Sequence, residues 1–307
     1  MEYRQDNLQS VIDPRRYGVS FSLKQCRNFG LDPAATLQWL FEQGWRRFRI
    51  MSYWDEHEPE QGKYYFAWLD WQIEAIKAYG GTVSLCLGVK QPRWPEYHWP
   101  KWTENLDKTD TDSALLHFVG TVVSRYRNEP NIDSWQLENE ALLDNFGEMI
   151  DIDRERLRAE FQIVRKIDTL RPIIMSTSNS WGIPIRKPLP DVVGFSWYFR
   201  LFSHGTYHNT VNFGFIFKLR KHLVHTLLGK GVFIHELQLE PWGSADIWNM
   251  TSEEQAKSMD IHQIAHNLSM AQKLRVSPID IWGAEWWYWR LSQGDPSIWE
   301  AVRDNLV

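Results

Sequence analysis

Two segments, WQLENE (135–140) and FIHELQLEPW (233–242), each bring a glutamate to the polar end of an apolar run. A pair of carboxyls held on different walls of one cleft can cleave a glycosidic bond, one protonating the leaving oxygen while the other attacks or activates water. Glu140 and Glu236 are the candidates for that pair. Neither suffices alone, and a single glutamate is more often a solvated surface group, so the weight falls on the elements that must position them.

Short β-branched or apolar runs alternate with helix-length amphipathic segments along the whole chain, which argues for βα units and a parallel sheet. The runs are 17–22, 46–52, 82–88, 132–138, 172–178, 191–197, 231–237 and 279–285. Eight such strands point to an α/β fold of the (β/α)8 TIM barrel type, with a doubly wound sheet as the weaker alternative. A single barrel domain over 1–307 with a short N-terminal arm, 1–14, is expected. Helix ends are marked by Thr251 with Glu254, a capping box, and by Gly44, Gly80 and Gly229 at C-terminal positions. The segment 251–274 reads as one long helix. In a barrel, the residues just after each strand form the active-site mouth. Glu140 then ends the fourth strand and Glu236 the seventh.

Composition narrows the ligand. The chain has 307 residues with a formal net charge of -5 and no basic stripe, which disfavours nucleic acid. No hydrophobic segment precedes Asp13-Pro14 and no apolar run reaches the ~18 residues of a membrane span, so a soluble chain is expected and the compartment stays open. His-x-His after the first strand, HEXXH, GxGxxG, the P-loop pattern and G-x-S-x-G are all absent, so no metal and no cofactor is implied. The two cysteines cannot form a metal cage, and Cys86 reads as a buried thiol. What stands out is 18 tryptophans, several beside Pro, Asn or Gly. Indoles at a barrel mouth would stack on the C–H faces of sugar rings, which makes Trp94, Trp181, Trp286 and Trp287 candidate platforms, Trp287 foremost, with Trp54 a further substrate-binding candidate.

The ordered set of strand-end motifs resembles the clan A glycoside hydrolases, retaining (β/α)8 enzymes, over nearly the whole chain. WQLENE is similar to that clan's fourth-strand motif, which implies Glu140 as acid/base and Asn139 as the residue binding the hydroxyl next to the anomeric carbon. IHELQLEPWG is similar to its seventh-strand motif, which implies Glu236 as nucleophile. FRI around Arg49 and GFSWY with Tyr198 resemble its second- and sixth-strand motifs, and YWDEHEPEQG opens like its second βα loop at Trp54 and Glu58-Pro59, with Gly62, Phe66 and Asp70 following. A general acid must keep its proton near neutral pH, which asks for partial burial of Glu140 and the negative charge of Glu236 nearby; a nucleophile needs the opposite, and Arg49 and Tyr198 are the groups expected against Glu236.

Glu138 shares strand parity with Glu140 and is expected one layer deeper in a structural role, with a buried hydrogen bond or a Lys or Arg partner. Glu240 ranks second as nucleophile, and strand alternation should turn His235 away from Glu236. The expected partner is a carbohydrate with β linkages. A carbohydrate-binding pseudoenzyme with the same Trp-lined groove, and an inverting hydrolase on the same fold, remain open.

Overall fold

Eight strands, each one of the apolar runs read from the sequence, close into a parallel barrel in the computed structural model, which describes residues 11–141, 153–178, 183–210 and 214–306. In chain order the strands are β1 (Tyr17–Ser20), β2 (Arg47–Met51), β3 (Thr82–Leu87), β4 (Ile132–Leu137), β5 (Ile173–Thr177), β6 (Val192–Trp197), β7 (Arg200–Ser203), β8 (Thr206–Asn209), β9 (Gly231–Gln238) and β10 (Ile279–Trp282). The barrel order is β1-β10-β9-β6-β5-β4-β3-β2, and β7 with β8 forms a separate antiparallel hairpin that the sequence reading did not anticipate. Two compact units make up the chain: one of Met1–Arg46, Phe195–Leu223 and Phe233–Val307, the other of Arg47–Gly194 and Val224–Val232.

In the second unit, strand alternation sorts side chains cleanly. Arg49 pairs in register with Ser84, Ser84 with Ser134, and Cys86 with Gln136, so these polar or small side chains share one face. Phe48, Ile50, Val83, Leu85, Leu87, Trp135 and Leu137 take the other face and are buried under the surrounding helices. Those helices begin where side-chain caps allow: Asp107 accepts from the Asp110 N–H, and Asp153 from the Arg156 N–H. Asp70, on helix Ala67–Ala78, takes a two-pronged bond from Arg125 on the neighbouring helix Lys108–Tyr126, and the Tyr126 hydroxyl as a third donor. Burial works against the charge, but these donors hold the Asp70 carboxyl below its usual range.

In the first unit, helix Pro33–Glu42 packs Leu37, Leu40 and Phe41 inward and ends at Gly44, whose φ of 95° only glycine adopts readily. The Thr251 cap is present, its hydroxyl accepting from the Glu254 N–H. The single helix expected over 251–274 is instead two, Ser252–Ala256 and Ile261–Gln272, because Asp260 adopts extended backbone and caps the second through the Gln263 N–H.

Two other boundaries differ from the sequence reading with consequences for the mouth. The last barrel strand stops at Trp282, not Glu285: Gly283, with φ 133°, turns the chain into helix Ala284–Ser292. A Cβ on Gly283 would lie 2.5 Å from the Leu239 carbonyl oxygen, so the turn requires glycine. Along β9 the register slips. Ile279 pairs with Ile234, yet Ile281 pairs with Leu237, so His235 and Glu236 together face Asp280. A bulge of this kind suspends strict alternation.

Candidate active site

In the unit that carries Glu140, the site is built around Asn139. Its Oδ1 accepts from Arg49 Nη2 at 3.0 Å and from the Ser176 hydroxyl at 3.2 Å, while its Nδ2 donates to Glu96 Oε2 at 3.1 Å. Arg49 is itself oriented by Gln136, whose Oε1 takes the Arg49 Nε–H at 2.7 Å. Both lie on the polar face of the strands and are buried, so the guanidinium fixes the amide without solvent competing. Glu140 follows, half-buried, with its N–H bonded to Ser176 Oγ at 2.9 Å and its carbonyl to Lys90 Nζ at 3.2 Å. Glu138 and Glu140 both hold left-handed backbone, φ 50° and 46°, which side chains other than Gly, Asn and Asp adopt rarely. Glu138 lies deeper and meets Arg156, the kind of partner expected for it.

In the unit that carries Glu236, an aromatic pair stands beside it. The Tyr198 hydroxyl donates to Glu236 Oε1, the contact expected for this pair, and Trp242 presents its edge to the Tyr198 ring with centroids 5.5 Å apart. The other glutamate of this stretch, Glu240, receives the Trp282 indole N–H at 2.7 Å. His235 bonds Asp280 at 2.8 Å, both fully buried; the bulge, not alternation, decides where His235 points, and its partner gives it a structural place.

Three of the tryptophans expected on a sugar-binding face do not present one. Trp287 is 0% exposed, its indole N–H donates to the Leu239 carbonyl, and its ring lies between Trp45 and Trp299. Trp286, also 0% exposed, donates to Gln255 Oε1. Reading the last strand three residues too long had put both in a mouth loop, whereas they belong to the first turn of a helix that packs inward. Trp54 is 0% exposed among Trp99, Trp102 and Phe118, with its N–H on Glu58 Oε2; Glu58 Oε1 takes the Gly62 N–H, so the motif from Trp54 to Gly62 ties off a loop. Trp94, by contrast, is 65% exposed. Trp181 lies outside the described residues.

Gln136, Glu96, Ser176, Trp242 and Trp282 had no place in the sequence reading. Trp282 was findable, since it ends a barrel strand as Glu140 and Glu236 nearly do; the other four become visible only through their contacts. Among the described residues no group of His, Cys, Asp or Glu is arranged to hold a metal ion, and no helix is long and apolar enough to cross a membrane.

The family model described as Beta-galactosidase (Glyco_hydro_42) matches residues 40–162, which include Arg49, Trp54, Asn139 and Glu140. A beta-galactosidase of Haloferax lucentense is 27% identical over 111 residues, 28% of this chain and 16% of that protein, so the match spans a small part of the curated relative. Among solved structures, xylanase 10B of Thermotoga petrophila in complex with xylobiose is similar at TM-score 0.67 and 15% identity, covering 99% of this chain and 98% of that one. An endo-beta-1,4-xylanase of Gloeophyllum trabeum follows the same fold at TM-score 0.64 and 16% identity, with 98% and 99% covered. The partial family match and these solved structures are all (β/α)8 glycoside hydrolases, which this chain resembles in fold over its length and in sequence over 40–162. A beta-galactosidase of Halorubrum lacusprofundi shares the barrel fold as well, at TM-score 0.60 and 13% identity over 87% of this chain and 52% of that one. The family-model match ends before β6 and so does not reach Tyr198 or Glu236.

Proposed function

We propose that this chain is a retaining glycoside hydrolase acting on β-linked oligo- or polysaccharide, with Glu140 as acid/base and Glu236 as nucleophile. The observation that carries the reading is the Tyr198–Glu236 hydrogen bond. Tyr198 bonds Oε1 and restrains rotation of the carboxylate, so that the nucleophile meets the anomeric carbon in one orientation. Preorganising a nucleophile in this way removes reorientation from the barrier. Asn139 supports the reading from the other carboxylate's side, because Arg49 and Glu96 set its amide plane and leave the second Nδ2 proton to reach a sugar hydroxyl.

The chemistry runs in two displacements. A carboxylate oxygen of Glu236 bonds to the anomeric carbon as Glu140 gives its proton to the departing glycosidic oxygen, and the aglycone leaves. Glu140, now a carboxylate, takes a proton from water, whose oxygen displaces Glu236 and regenerates both groups. Trp94 is the platform proposed for a sugar further along the groove.

Glu236→Gln keeps the side chain's shape and removes its charge. Turnover of any β-glycoside should be lost while calorimetry still detects oligosaccharide binding. Ordinary activity in that variant would move the nucleophile to Glu240 or remove the enzyme reading.

A further inference from the structure

Glu138, Arg156 and Glu160 form a buried cluster that the chemistry above leaves unused. Arg156 Nε donates to Glu160 Oε1 at 2.8 Å and Nη2 to Glu138 Oε1 at 3.2 Å, with all three side chains essentially inaccessible. Burial, and then the charge of Glu138, push the Glu160 carboxyl well above its ordinary range. Arg156 is thus shared by two buried carboxyl groups. Apolar side chains would fill such a space at no electrostatic cost, so the ionic cluster calls for a purpose other than packing.

Glu138 spends its carboxylate on backbone. Oε1 takes the Val89 N–H at 3.2 Å and Oε2 the Lys90 N–H at 2.5 Å. The fit extends to Gly88, where φ is 97° and a Cβ would lie 2.4 Å from the Glu138 carboxyl carbon. Lys90 then engages the next two residues of the β4 end: its carbonyl accepts the Asn139 N–H, and its Nζ donates to the Glu140 carbonyl. One residue, Lys90, is thus bonded to Glu138, Asn139 and Glu140 in succession. Left-handed backbone at Glu138 and Glu140 costs on the order of 1–3 kcal/mol each and persists only where surrounding bonds enforce it.

We propose that Glu138, held by Arg156 and Glu160, is a positioning residue that clamps Lys90 and so fixes the direction in which Glu140 leaves the strand end. The inference rests on Glu140 being the acid/base proposed above. Its action is on Glu140, not on the fold at large, and that distinction can be measured.

Glu138→Gln nearly preserves shape but sets an amide N–H₂ against a backbone N–H, which breaks the clamp. Initial rates should be compared on β-glycosides with poor and with activated aryl leaving groups, in the full chain and in a Glu140→Ala background. With the poor leaving group, kcat should fall by about 10²-fold with KM nearly unchanged, the scale of a lost general acid. Glycosylation by the activated substrate should fall far less, and in the Glu140→Ala background the change should add nothing. Equal loss on both substrates, or effects that multiply with Glu140→Ala, would overturn the clamp. If Glu138→Gln does not fold, Lys90→Met carries the test: it removes the bond to the Glu140 carbonyl and should show the same selectivity, while a uniform loss overturns the proposal. If Glu140→Ala itself shows no dependence on the leaving group, the acid/base reading falls and the clamp with it; if it does and Glu138→Gln does not, the clamp alone falls.

Discussion

A tryptophan's role in this molecule is read from where its indole N–H goes and how much of its ring meets water. Trp287, with its N–H on a backbone carbonyl and both faces packed, is a wall residue. Trp287→Ala should therefore cost about 3–5 kcal/mol of stability through the cavity it leaves, seen as a lower Tm, before any kinetic effect is considered. Trp94 is the opposite case. Its substitution by Ala should leave Tm nearly unchanged, because its ring is mostly in water, and should raise KM for long oligosaccharides relative to short ones. A Trp94→Ala variant with the parent's chain-length profile would take Trp94 out of the groove. The sequence could not separate these two residues: each is a Trp near a strand end, and only the helix after Gly283 turns one of them inward.

At the scale of elements, strand existence was legible because eight apolar runs of similar length alternate with helical periods, and all eight are barrel strands. Burial of Glu138 was expected from strand parity, and it is met by both backbone N–H groups and Arg156. What was not legible has local causes: a glycine at φ 133° ends β10 early, one extra residue on β9 breaks alternation at His235, and an aspartate cap splits the helix after Thr251. The segment entering β5 offers a separate test of element anchoring. Asp168 lies at the end of helix Arg154–Ile167 and, although burial opposes its charge, bonds from Arg171, from the Leu170 and Arg171 N–H groups and from the Trp135 indole lower its pKa to about 2. A carboxyl whose folded pKa lies below its unfolded value of 3.8 stabilises fully above that value and loses the contribution as pH falls toward about 2. The contribution is on the order of 1–2 kcal/mol. Urea unfolding of Asp168→Asn should show a deficit against the parent at pH 7 that narrows steadily between about pH 4 and pH 2; a deficit independent of pH would mean that the charge is not what anchors this turn.

For the whole molecule, the proposed function rests on two carboxyl groups from distant parts of the chain, Glu140 and Glu236. The central claim is the division of labour between them, and the anomeric configuration of an azide product reports on it directly. In Glu140→Ala the nucleophile can still form its intermediate with an activated aryl β-glycoside, but deglycosylation lacks its base; azide entering the vacated space should restore the rate. Two successive inversions at the anomeric carbon then give a β-glycosyl azide, resolved from the α form by proton NMR. The account predicts the β-azide from Glu140→Ala and an α-azide, by direct displacement, from Glu236→Ala. An α-azide from Glu140→Ala would reverse the two assignments, and no rescue of either variant would contradict the retaining mechanism itself.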